Sequence, residues 1–169
     1  MQFIKYFMLF LILITTSILG KCLAKRYCNR LKELEEMRTA LNIFKSKINF
    51  TYAPIPEIFE EISQNLKGNM GKIFKVSKEK MENSTANMAW EEAIEEVDSN
   101  LNDEDKYTLK TLSKLLGQTD VEGQTSQIDI TQKFLEAQIK EASEQKQKNE
   151  KLYSKLGTTI GLVIVIILA

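Results

Sequence analysis

The sequence predicts an all-α protein, a six-helix bundle carried between an N-terminal and a C-terminal transmembrane helix. Three observations lead there. Each end of the 169-residue chain is an apolar run, the stretch between them repeats its apolar residues at helical spacing, and nowhere does that stretch alternate as a strand or carry an Asn-Gly hairpin turn.

The first apolar run extends from Phe3 to Leu19, with Lys5 as its single charge and Thr15, Thr16 and Ser17 as its mildest interruptions. A hydrocarbon core about 30 Å thick is crossed by roughly 17–25 helical residues, a length that 1–20 supplies, with Lys5 snorkelling to the interface. A cleaved signal peptide is the alternative, with Lys5 as a short basic region and Cys22-Leu23-Ala24 as the cleavage site. A lipoprotein signal fits poorly, because Lys21 occupies the small-residue position before Cys22. The second run, Leu156 to Ala169, is short alone; extended back through Leu152 and Tyr153 it spans with local thinning of the bilayer, placing Tyr153 at the interface. The expected organisation is therefore 1–20 transmembrane, 21–151 helical domain and 152–169 transmembrane. Lys21, Lys25, Arg26, Arg30 and Lys32 follow the first run, Lys146, Lys148, Lys151 and Lys155 precede or open the second, and Lys5 alone lies beyond. The positive-inside rule then puts 21–151 in the cytoplasm and both termini across the membrane.

Within the domain, Leu31, Leu34, Leu41, Phe44 and Ile48 form one apolar face of a helix continuing the first span. The prolines of Tyr52-Ala53-Pro54-Ile55-Pro56 break it, since proline lacks the amide hydrogen and restrains its predecessor. Pro56 suits the first turn of a second helix, Pro56 to Leu66, with Ile55, Ile58, Phe59, Ile62 and Leu66 inward and Gly68-Asn69 ending it. A third helix, about Met70 to Glu82, offers Ile73, Phe74 and Met81, and Asn83-Ser84-Thr85 caps a fourth lined by Met88, Trp90, Ala93, Ile94 and Val97. Asn102-Asp103 caps a fifth, with Tyr107, Leu109, Leu112, Leu115 and Leu116 before Gly117 stops it. The last helix runs from about Gly123 to Tyr153, with Ile128, Leu135, Ala142 and Leu156 at heptad spacing and a polar stretch, Ser143 to Lys151, that reads as a stalk.

Catalytic equipment is scarce. The chain has no histidine, no glycine-rich phosphate loop, and two cysteines, Cys22 and Cys28, without companions at zinc-site spacing. No cofactor or metal is expected, and no enzymatic activity. Charge cancels at 23 basic against 23 acidic residues, which gives no global reason to expect nucleic acid. It is nevertheless uneven: Lys67 to Lys80 is basic, whereas Glu82 to Asp105 contains no Lys or Arg. Glu91, Glu92, Glu95 and Glu96 in that block are the candidate partner-facing residues, either a docking surface for a basic partner or a solvated helix face. Gly117 and Asp120 are candidate turn residues, one as a left-handed cap and the other capping the next helix.

Several stretches together resemble the stage III sporulation protein AB family: Ala40-Leu41 through Ile48 to Pro54-Ile55-Pro56-Glu57-Ile58; Ala89-Trp90-Glu91-Glu92-Ala93; Leu116-Gly117-Gln118-Thr119-Asp120 with Gln124 and Ile128; and Leu156-Gly157 with Gly161-Leu162. The resemblance implies a component of the channel complex between mother cell and forespore, needed for late forespore gene expression. Its helical domain would be similar to the F platform protein of type II secretion and type IV pilus systems. It further implies a multi-pass protein of the outer, mother-cell-derived forespore membrane, with 21–151 in the mother-cell cytoplasm. Expected partners are a secretion-type ATPase of the same complex and other forespore channel proteins. Secretion platforms usually carry two copies of the helical domain, whereas one is visible here, so a dimeric platform would require this chain to form a homo-oligomer. From the residues alone, two rivals stay open: a membrane-anchored helical adaptor or regulator, and an integral-membrane enzyme using Lys5 and Thr15-Thr16-Ser17.

Overall fold

The computed structural model describes residues 2–168; the side chains of Lys5 and Leu115, to which the sequence assigns roles, lie outside that description, as does Ala169 of the tail. The described residues form six α-helices: α1 (Gln2–Thr51), α2 (Ile55–Asn65), α3 (Asn69–Lys80), α4 (Ala86–Glu96), α5 (Asp103–Thr111) and α6 (Val121–Leu168), with a 3-10 turn at Leu112–Leu115. The chain divides into two compact units, one of residues 32–140 and one of residues 1–31 with 141–169. Residues 21–31 and 141–151 thus group with the end segments.

Residues 32–140 are the helical bundle. Leu34, Met37, Ala40, Leu41, Phe44 and Ile48 give α1 one buried stripe, at the spacing that puts successive residues on the same helical face. At the centre Phe59 lies edge-on to Phe44, Phe74 and Trp90, with ring centroids 5.3, 5.0 and 5.5 Å away. Such edge-to-face pairs contribute about 0.5–1.5 kcal/mol each beyond the area they bury. The indole N–H of Trp90 donates to the Leu109 carbonyl at 2.8 Å, so the largest core side chain carries no unsatisfied donor.

Local chemistry sets the breaks. Tyr52 adopts φ 51°, a left-handed conformation unusual for a bulky residue, two positions before Pro54, which occupies the N-cap of α2. Gly68, at φ 101°, is the N-cap of α3 and not the terminator of α2, which ends at Asn65. Thr85 holds the N-cap position of α4, but its hydroxyl donates to Asn87 Oδ1 instead of capping. At α5 the capping box is complete: Asn102 Oδ1 accepts from the Asp105 N–H at 2.8 Å, and Asp105 Oδ2 from the Asn102 N–H at 3.0 Å. The fifth helix stops at Thr111 and tightens into the 3-10 turn, earlier than its apolar pattern predicts.

Two expected core residues face outward. Met88 is 54% and Tyr107 69% exposed. Each stands two positions before a buried anchor, Trp90 or Leu109, and two residues of α-helix rotate the side chain by about 200°. The heptad on α6 holds at Ile128, Leu135 and Ala142, which are buried, and fails at exposed Leu156.

Residues 2–31 and 141–168 form an antiparallel helix pair. Among the described residues, one helix, near the N-terminus, is long and apolar enough to cross a membrane by length and composition. Gly20 and Gly157 oppose each other so closely that a Cβ on Gly20 would stand 2.9 Å from the Gly157 Cα and 2.6 Å from the Tyr153 carbonyl oxygen. Tyr27 stacks on Tyr153 with ring centroids 5.8 Å apart, and Arg30 reaches Gln145 at 2.9 Å and Glu141 at 3.5 Å. The polar stretch Ser143 to Lys151, expected as a stalk standing off the bundle, runs beside α1, with Arg30 held by Gln145.

Candidate partner and membrane surfaces

On α4 the apolar stripe of Trp90, Ala93, Ile94 and Val97 turns inward, which leaves Glu91, Glu92, Glu95 and Glu96 together on the exposed side. The fold supplies cations that the local sequence lacks. Lys80, at the end of α3, bridges Glu92 at 2.9 Å and Glu96 at 3.0 Å; from α5, Lys106 pairs with Glu95 at 3.4 Å and Lys110 pairs with the same carboxylate. Ser113 Oγ donates to Glu91. Hydrogen bonds that Lys80 donates to Glu92 and then Glu96 raise the Lys80 pKa, and the hydrogen bond from Lys110, followed by the nearby Lys106 charge, lowers that of Glu95. The four glutamates are therefore a screened, paired surface. An open concavity of about 470 Å³ borders it, lined by Val76, Glu79, Lys80, Asn83, Ser84, Glu92 and Glu96.

Gly117 and Asp120 frame the link between the 3-10 turn and α6. Gly117 has φ 72°, and a Cβ there would meet the Ala86 Cβ at 3.3 Å. Asp120 Oδ1 accepts from the Gly123 N–H at 2.9 Å, the bond of a helix N-cap. Both are exposed.

Sequence reasoning missed Glu33. This buried carboxylate of α1 accepts from the side-chain amides of Asn69 and Asn100, each at 2.8 Å, and from the Asn100 backbone N–H at 2.7 Å. It ties the start of α3 and the α4–α5 link to α1. Its position four residues before Met37, on the buried stripe, is the signal that could have found it. An aromatic and aliphatic surface of Tyr52, Ile130 and Phe134 also stands exposed. Tyr52 and Ile130 line an open concavity of about 600 Å³.

Among the described residues, no group of three His, Cys, Asp or Glu side chains could hold a metal ion. Cys22 is exposed and Cys28 half-buried, the thiol of Cys28 pushed up in pKa by burial and by the neighbouring Glu150 charge.

The family model described as Stage III sporulation protein AB matches residues 5–169. A curated relative, Stage III sporulation protein AB of Bacillus subtilis (strain 168), is 26% identical over 161 residues, covering 93% of this chain and 94% of the relative. Among solved structures, one of Stage III sporulation protein AB (SpoIIIAB) superposes with a TM-score of 0.64 at 20% identity, over 70% of this chain and 96% of that one, a likeness of fold.

Proposed function

The chain belongs to the stage III sporulation protein AB family, and from that premise we propose that it is a membrane-anchored, non-enzymatic platform component of the channel complex between mother cell and forespore. The family match over residues 5–169 is the observation that carries this reading, because it takes in both end segments as well as the bundle. In it, 1–20 and 152–169 cross the outer forespore membrane as a helical hairpin, and the domain within 21–151 faces the mother-cell cytoplasm. The glycine seam supports the hairpin: without a hydrophobic drive between helices in lipid, close approach at small residues is what holds them.

The bundle then serves as the dock for a secretion-type ATPase and for other channel proteins, as the F platform protein does in secretion systems. Glu91, Glu92, Glu95 and Glu96 are the surface assigned to the ATPase, with Gly117 and Asp120 as shapers of the turn into α6. Because each of these glutamates already has an internal partner, a basic partner engages them by competing with Lys80, Lys106 and Lys110, which favours a reversible contact. Self-association would supply the second copy of the helical domain.

The test is a detergent pull-down of tagged full-length chain from sporulating cells, with copurifying proteins identified by mass spectrometry. A secretion-type ATPase and other channel proteins are expected. Replacing Glu91, Glu92, Glu95 and Glu96 by Lys should lower ATPase recovery severalfold while circular dichroism keeps its helical signal. Unchanged recovery with intact helicity would remove the acidic surface from the proposal, and absence of all channel proteins would leave an anchored helical adaptor.

A further inference from the structure

We propose that the collar where the end segments leave the bilayer is a binding surface for anionic phospholipid headgroups, an inference that rests on the membrane-spanning reading above. The Gly20–Gly157 approach and the Tyr27–Tyr153 stack bring residues 21–26 of α1 level with the 150s of α6. Residues 21–31 hold Lys21, Lys25, Arg26 and Arg30 and no acidic residue; residues 141–155 hold Lys146, Lys148, Lys151 and Lys155 against Glu141, Glu144 and Glu150. Part of this charge is already engaged: Arg30 pairs with Glu141, and Glu150 lies close enough to the Cys28 thiol for its charge to raise the thiol's pKa. Lys21, Lys25, Arg26, Lys148, Lys151 and Lys155 are exposed and form no ion pair among the described residues.

Three of these cations form a ladder. Lys148, Lys151 and Lys155 fall at spacings of three and four on α6, the spacing of neighbours on one helical face. That face points away from Tyr153 and Gly157, which meet α1. Beside it opens a concavity of about 590 Å³ lined by Gln147, Glu150, Lys151 and Lys155. Two ammonium groups and an amide N–H can converge there on the acceptor oxygens of one phosphodiester. Exposed Leu152 and Leu156 follow Lys151 and Lys155 directly. This alternation of cation and leucine matches an amphiphile, headgroup outside and acyl chain beneath, better than it matches an acidic protein or a free ion. Each cation near an anionic surface strengthens such binding by about fivefold.

The full-length chain, reconstituted in mixed phosphatidylcholine and phosphatidylglycerol vesicles and extracted in mild detergent, provides the test, with retained lipid quantified by mass spectrometry. Phosphatidylglycerol should be enriched severalfold over its bulk share. The K148Q/K151Q/K155Q variant should lose that enrichment, as a K21Q/K25Q/R26Q variant should in part, with helicity unchanged and retained phosphatidylcholine unaffected. Equal enrichment in wild type and both variants overturns the proposal, as does displacement of the lipid by inorganic phosphate, which would make this a free-anion site. Insertion into vesicles without enrichment overturns the lipid proposal alone; failure to float with any vesicle overturns it together with the membrane-spanning reading.

Discussion

Gly117 illustrates how much one residue can decide. An L side chain in the left-handed region costs about 1–2 kcal/mol, and here a Cβ would also press on the Ala86 Cβ at 3.3 Å. Gly117→Ala should therefore destabilise the bundle by about 1–2 kcal/mol or more, read as a lowered urea midpoint at unchanged slope. Glu95 offers a different test. Its pKa is held down first by the Lys110 hydrogen bond and then by the Lys106 charge, so its small contribution to stability is present above the ordinary glutamate pKa. It is lost as pH falls through the lowered folded value. A carboxyl titration by NMR should place the Glu95 midpoint below those of unpaired glutamates, and Lys110→Met should raise it. The sequence could show these glutamates as a run without cations because it reads neighbours along the chain. Lys80 lies before the run and Lys106 and Lys110 after it, and only the packing of α3 and α5 beside α4 brings them across.

At the scale of elements, the helices were legible because their apolar stripes repeat, and prolines mark the first break. What escaped was decided by a few backbone angles. The 3-10 ending after Thr111 leaves no mark on the leucine pattern, and Met88 and Tyr107 are apolar residues whose phase, not composition, places them outside. The seam between α1 and α6 was legible only as two separate apolar runs; that their glycines meet is a long-range fact that local periodicity cannot carry. It makes a testable element. In a Cys22→Ser background, a cysteine in place of Glu150 should form an intramolecular disulfide with Cys28, since the Tyr27–Tyr153 stack and the Arg30–Gln145 bond hold the two helices together on either side of that pair. Gly157→Leu, whose side chain would enter the space of the Gly20 Cα, should suppress that cross-link severalfold, measured by non-reducing electrophoresis of protein in vesicles.

For the whole molecule, the fold class and the order of six helices follow from periodicity, whereas the grouping of residues 21–31 and 141–151 with the ends does not. A polar stretch such as Ser143 to Lys151 reads as solvated along the chain, yet Arg30 binds within it. The family was legible through resemblance, carried by short stretches spread along the chain. The aromatic centre of the bundle has one more use. Trp90 is the chain's single tryptophan, fully buried against Phe59 and Phe74 and hydrogen-bonded to Leu109. Its emission is thus a built-in optical gauge: selective excitation in a lipid suspension reports bundle hydration alone, shifting to the red when residues 32–140 open and staying silent to events confined to the end segments.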